Sequence, residues 1–520
     1  MADPLIRDVV VPPPPQRPRV IVRTEPAADM GQQADSERGT GRQSVVRNVL
    51  HLFYSQTTTW VLATIVAVVQ PRFLGPDAQG QLRLAFSIWA LAQVVINLGT
   101  SNLLTLEIAR NREKGAALIG PVLAMRLAVY VVSMAGILIV AAATGAGGRF
   151  LAVVALFGAT SLFVTVSTAV RAALIGFEHM SYPAVADVVA KLFQTVAVVA
   201  VLVTSADVRA VAATVAAGGL LNAALMVHFL RRFPFVSFRP AWRLTRSILK
   251  MSAGFFVAEA VLIVYQQVDT VMLSFLVDRR ELGWYSTSDT LFASLLFVPT
   301  ILLASLLPVI GRLHVDDPDR LSSMVERTFA TLLLVGVPVG LGTAVVAHPV
   351  SLLLYGEKYR QTGSVLTLMG IVLIFVFITI LLGQVAIATG RQRFWNTLMI
   401  AAIVLAVPLD LLFVPWAEHR YGNGAIGGGM SYLLTEGLMF GVGVWKIAPQ
   451  VLNRATAIRS AKILLGGAAL VAAAWPLRNR LILLPVLAGA AAYGVMVVVL
   501  RVLGPDERAQ FGRLRARLRA

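Results

Sequence analysis

Charges set within long apolar runs are where this sequence could do chemistry, because each costs roughly 2.5–3.5 kcal/mol at the centre of a bilayer. Arg126 is deep in such a run, far from either end. Its planar fork of donors suits phosphate oxygens, so an anionic diphosphate headgroup is one partner. The alternative is a buried pair with Glu436 or Glu259 that only fixes helix packing. Asp187 and Lys191 stand four apart in a second run and share a helical face. They are expected to pair with each other, with Lys191 as a cavity cation the alternative. Arg47 and Lys250 head two apolar runs at matching places. They read as ordinary membrane-surface anchors or as cations at the inner mouth of a cavity.

Two runs are too polar to face lipid on every side. The first opens with His51, Tyr54, Ser55, Gln56, Thr57, Thr58 and Thr59; a later one carries Glu259, Tyr265, Gln266, Gln267, Asp269 and Thr270. Polar side chains inside a span face a bundle or a watery cavity, so these helices are expected to line an interface. Substrate contacts are accordingly expected at Tyr54, Gln56, Gln266 and Gln267, beside the cations Arg126, Arg47, Lys250 and Lys191. Glu259, Asp269, Asp410 and Glu436 are the candidates to bind Na⁺ or H⁺ for coupling.

The chain has no cysteine, which excludes disulfides and thiolate chemistry. Its histidines fall at no metal-ligand spacing, and no glycine-rich loop ends in Gly-Lys-Ser/Thr. Neither a metal, a cofactor nor nucleotide hydrolysis is expected, and no enzymatic constellation is legible.

The elements that must hold these residues are membrane helices. Of 520 residues, 57% are hydrophobic and 14% charged, against about 25% charged in soluble domains. The net charge of +18 lies between apolar runs, where it sets topology and meets anionic headgroups rather than nucleic acid. Fourteen candidate spans centre near Thr64, Gln93, Val131, Phe157, Val196, Leu220, Ala260, Leu296, Val337, Ile374, Val404, Leu434, Leu465 and Ala490. With both termini cytoplasmic, inner segments hold 32 of the 45 lysines and arginines against 11 outside. The expected domains are a disordered Pro/Arg-rich tail (1–43), an N-lobe of helices 1–6 (44–232) and a basic cytoplasmic linker (233–250). A C-lobe of helices 7–12 (251–448), helices 13–14 (449–504) and a basic tail (505–520) follow. A shift of 203 positions lays Arg47 under Lys250 and Gly80 under Gly283, so the halves share one plan, a mark of secondary transporters.

Several stretches carry a resemblance. They are Arg72-Phe-Leu-Gly-Pro-Asp-Ala-Gln-Gly80, Asn97-Leu-Gly-Thr-Ser-Asn102 and Glu107-Ile-Ala-Arg110, then Gln267-Val-Asp269, Leu282-Gly-Trp-Tyr285, Leu307-Pro308 and Leu354-Tyr-Gly-Glu-Lys-Tyr359 leading into Val365-Leu366. In order and spacing the chain resembles the polysaccharide transporter or oligosaccharide flippase family of the multidrug/oligosaccharidyl-lipid/polysaccharide exporter superfamily, to which lipid II flippases are related. The resemblance implies an all-α polytopic protein with two six-helix lobes related by a parallel pseudo-two-fold, plus two C-terminal helices. It implies movement of a lipid-linked oligosaccharide of polyprenyl diphosphate type across the bacterial inner membrane by alternating access, for cell-surface polysaccharide. Partners so implied are membrane lipids, a polysaccharide polymerase and glycosyltransferases. A lipid II flippase, a cation-coupled multidrug exporter, and a membrane polymerase or ligase are the alternatives.

Overall fold

The computed structural model of the protein describes residues 55–145, 147–233, 241–304 and 306–502. Arg47, Tyr54, both tails and residues 234–240 of the basic linker lie outside them. Every regular element among the described residues is helical. The first half holds α1 (Ser55–Leu74), α2 (Pro76–Asn97), α3 (Thr100–Arg110), the short α4 (Arg112–Ala116), α5 (Ile119–Ala143), α6 (Gly148–Gly176), α7 (Ser181–Thr204) and α8 (Val208–Leu230). The second half follows with α9 (Thr245–Leu276), α10 (Arg279–Leu295), α11 (Phe297–Ala304), α12 (Leu307–Asp316) and α13 (Pro318–Tyr355). It continues through α14 (Thr362–Ala388), α15 (Gln392–Tyr421) and α16 (Ala425–Ile447) to the terminal pair α17 (Arg454–Ala474) and α18 (Leu483–Val499).

Among the described residues, eleven helices are long and apolar enough to cross a membrane, or twelve if the bent pair α2–α3 is one span. The protein is therefore a multi-pass membrane protein. Length and composition alone fall short of fourteen for identifiable reasons. The α16 helix is diluted by Gly427, Gly428, Gly429, Ser431, Thr435 and Glu436, and α18 has only 17 residues. The span expected around Leu296 is counted in full as Arg279–Leu303, although a single turn at Leu296 separates α10 from α11.

Apolar side chains explain the packing of each half. α14 is apolar all round and largely buried; such a helix belongs at a lobe's centre. It shares a core with α13, α15 and α16 through Val337, Leu382, Met399 and Val444. In the first half Leu104, Ile108, Val122, Val170 and Met226 knit α3, α5, α6 and α8.

The halves meet where α2 crosses α10, and glycine makes that crossing possible. A Cβ on Gly80 would stand 1.9 Å from the Arg279 carbonyl oxygen, and one on Gly283 would stand 2.0 Å from that of Pro76. Pro76 and Arg279 are separated by the same interval as Gly80 and Gly283. Each half thus offers the same patch to the other, the reciprocity that a two-fold axis imposes. An even number of spans in each half would set that axis along the membrane normal.

Candidate functional site

Three polar centres emerge, one at the seam between the halves and one within each half. The seam follows one face of α2. The Arg83 guanidinium donates to Asp289 of α10 (2.6 Å) and to Thr270 of α9 (3.2 Å). One turn on, the Ser87 hydroxyl donates to Gln267 (3.0 Å), and near the end of α2 the Asn97 amide donates to Glu259 (3.0 Å). Tyr355 Oη also donates to the Ala67 carbonyl of α1 (3.2 Å). Gln267 and Glu259 are thus engaged across the interface, whereas Gln266, one position along α9, is exposed. Gln56 and Lys250 are exposed as well.

The first-half centre is built around a broken helix. Leu98 and Gly99 both adopt positive φ (51° and 67°), ending α2 and turning the chain by 41° into α3. Glycine is required twice over, since a Cβ at Gly99 would also lie 2.3 Å from the Phe256 amide nitrogen. The break presents Thr100 and Ser101 to Arg126, which is fully buried. Its guanidinium donates to Thr100 Oγ1 (2.8 Å), Ser101 Oγ (2.9 Å) and Thr168 Oγ1 of α6 (3.1 Å). Neither carboxylate expected as its partner bonds it directly: Glu259 is held by Asn97, and Glu436 lies in the other half with Tyr265 and Thr379 (3.1 Å). Three hydroxyls surround this cation in this conformation.

Thr168 also lines a cavity of about 390 Å³ between α1, α6, α7 and α8. Its charged residues are Arg171, Asp187 and Lys191, with Gln194 and Asn222 beside them. The expected Asp187–Lys191 pair does not form. Arg171 on α6 reaches across to Asp187 instead, and Asn222 of α8 donates to the same carboxylate (3.0 Å). Lys191, a turn along α7, is left with Gln194 (3.3 Å). A helical spacing of four makes a pair available, but a guanidinium from a packed neighbour competes for the same oxygen. Arg171 was missed because it stands near the end of its apolar run, where it reads as a surface cation.

The second-half centre gathers carboxylates from three helices. Asp269 of α9, Asp410 of α15 and Glu436 of α16 are all buried. Asp269 feels the charges of Asp410, Asp289 and Glu436, but among the described residues no three acidic or histidine side chains stand close enough to hold a metal ion together. Glu436 accepts from Tyr265 and Thr379. Asp410 has the Ser431 hydroxyl as its polar neighbour, and that hydroxyl also approaches the Ala406 carbonyl (3.4 Å). Buried carboxylates within spans suit a proton relay.

A multi-pass helical protein with pseudo-two-fold halves, an interdigitated polar seam and a buried charged centre in each half has the architecture of a secondary transporter. The chain belongs to the polysaccharide biosynthesis protein family, whose model matches residues 45–314, and thereby to the multidrug/oligosaccharidyl-lipid/polysaccharide exporter superfamily. The MatE family model matches residues 255–412. A probable lipid II flippase, MurJ, of Haemophilus influenzae is 27% identical over 286 residues, covering 50% of this chain and 53% of the relative. The match therefore spans about half the length of that curated relative. Among solved structures, the lipid II flippase MurJ in an inward closed conformation superposes with a TM-score of 0.69 at 12% identity, covering 88% of this chain and 99% of the other. An inward-facing multidrug resistance MATE family transporter gives 0.61 at 14% identity over 76% and 96%. At these identities the structures share the fold.

Proposed function

We propose that this protein flips a lipid-linked saccharide, carried on a polyprenyl diphosphate, across the bacterial inner membrane by alternating access, with both termini cytoplasmic. The observation that carries this reading is the cationic first-half cavity, which holds two cations, Arg171 and Lys191, against the one carboxylate of Asp187, with Arg126 behind the Thr168 wall. Guanidinium and ammonium groups in a low-dielectric pocket favour a diphosphate over a cationic drug. Asp269, Asp410 and Glu436 supply the ion-coupling site in the second half. A polymerase and glycosyltransferases are the corresponding partners, making and consuming the carried saccharide.

The MatE match over the second half favours one other reading, a cation-coupled exporter of amphiphilic drugs. Reconstitution separates them. Purified protein in proteoliposomes is expected to move labelled polyprenyl-diphosphate oligosaccharide, and Arg171→Gln with Lys191→Gln to slow it at least tenfold. Transport of lipid II in preference would narrow the substrate to the cell-wall precursor. Transport of cationic dyes with no movement of diphosphate lipids would overturn the proposal.

A further inference from the structure

A fourth polar feature lies outside the seam and both centres, at the corner between α12 and α13. A cleft of about 870 Å³ opens there, and Arg312, Arg320 and Arg327 line it. Arg320 and Arg327 are seven apart on α13 and so share a face, opposite Arg312 on α12. Asp316 and Asp317 sit at the turn, but Asp317 is engaged in capping α13 through the Arg320 backbone N–H (3.0 Å). Arg312 and Arg320 make no ion pair among the described residues. The floor is apolar: Leu313 and Met324 line the cleft and pack against the second-half core.

The depth of this cleft follows from helix length. α13 has 38 residues and is therefore about 57 Å long, roughly twice the ~30 Å hydrocarbon core. Its apolar part runs from Phe329 onward, so the turns from Pro318 to Thr328 stand beyond the core, at headgroup level. On α12, Val315 is 81% exposed beside the cleft, as suits a side chain resting in lipid.

We propose that this cleft holds the headgroup of an anionic phospholipid, with the phosphate between Arg312 and Arg320 and the glycerol end over Leu313 and Met324. A free anion would have no use for the apolar floor, and a zwitterionic headgroup would bring a cation to the arginines. A lipid bound there braces α12 against α13, at one end of the span that α10 contributes to the seam. The proposal needs only that the chain spans a membrane and does not depend on the translocation reading.

The test is thermal unfolding of the full-length protein in lipid nanodiscs. Replacing part of the phosphatidylcholine with phosphatidylglycerol is expected to raise the melting temperature by several degrees. The Arg312→Gln/Arg320→Gln variant should lose at least half of that rise, with its melting temperature in phosphatidylcholine alone unchanged. If that variant does not fold, Ser323→Glu, which adds a negative charge to the same cleft, should also lose the rise, and Arg312→Lys/Arg320→Lys should keep most of it. An undiminished rise in Arg312→Gln/Arg320→Gln or Ser323→Glu overturns the site. An equal rise with inorganic phosphate would make it a soluble-anion site and overturn the lipid assignment. A larger rise with polyprenyl diphosphate, lost in the same variants, would make it a substrate entry point and overturn it too. Arg171→Gln/Lys191→Gln should keep the phosphatidylglycerol effect whether or not it transports.

Discussion

Arg126 shows how differently one buried cation reads once its neighbours are placed. As a residue in an apolar run it needs a counter-charge; in the fold it has three hydroxyls instead, from the break after α2 and from α6. It is a positioning residue in this conformation, tying the bend to the wall of the first-half cavity. Arg126→Ala is therefore expected to lower stability by at least one charged hydrogen bond, about 1.5–3 kcal/mol, and to slow flipping as well. Lysine has no planar fork and should restore only part of both. A variant with wild-type melting temperature and no transport would instead mean that the guanidinium meets substrate directly. Arg83 makes a second residue-scale case. Its bond to Asp289 couples the halves, and a double-mutant cycle of Arg83→Ala and Asp289→Ala should return a coupling of about 0.5–3 kcal/mol. Additive effects would remove the pair from the seam.

Among the elements, α2 does the most to hold the halves together. Its face meets α9 and α10 through Arg83, Ser87 and Asn97, and Gly80 lets its backbone sit against that of α10. Under the proposed alternating access, this face must separate from its partner. Gly80→Val cannot be accommodated with the Arg279 carbonyl at 1.9 Å from a Cβ, so it should bias the protein away from this closed seam. The chain lacks native cysteine, which gives a clean reporter. Cysteines at Ser87 and Gln267 should be bridged by a short bifunctional thiol reagent in this conformation, since the native side chains touch at 3.0 Å. Cross-linking is expected to fall several-fold in Gly80→Val. Unchanged cross-linking would show that the glycine crossing does not govern closure.

For the molecule as a whole, the distribution of basic residues makes a topological prediction. Reporter fusions after Lys250 and after Arg280 are expected to report inside and outside, because α9 lies between them and the cations cluster at one set of connections. Both fusions reporting the same side would break the topology. The same scale carries the reciprocal contact of Pro76 with Gly283 and of Gly80 with Arg279. Superposing the first six spans on the next six should align them about an axis along the membrane normal, and a match only after inversion would overturn that axis.

Helix content and membrane class were legible from the sequence because a bilayer leaves a local record. Each span must be a continuous apolar run, and every expected centre with described residues falls in a helix or, at Leu296, at the break between two. The repeat was legible for a similar reason: the interval joining Gly80 to Gly283 survives as a spacing even where side chains diverge. Partners were not legible. Asp187 and Lys191 share a helical face, yet Arg171 takes the carboxylate because α6 packs beside α7. Asp269, Asp410 and Glu436 lie far apart along the chain, and only the packing of α9, α15 and α16 gathers them. Which polar groups face each other is settled by helix rotation and crossing, and a run of residues records neither. Composition determined that the chain is built of apolar membrane helices; tertiary packing decided which buried charge answers which.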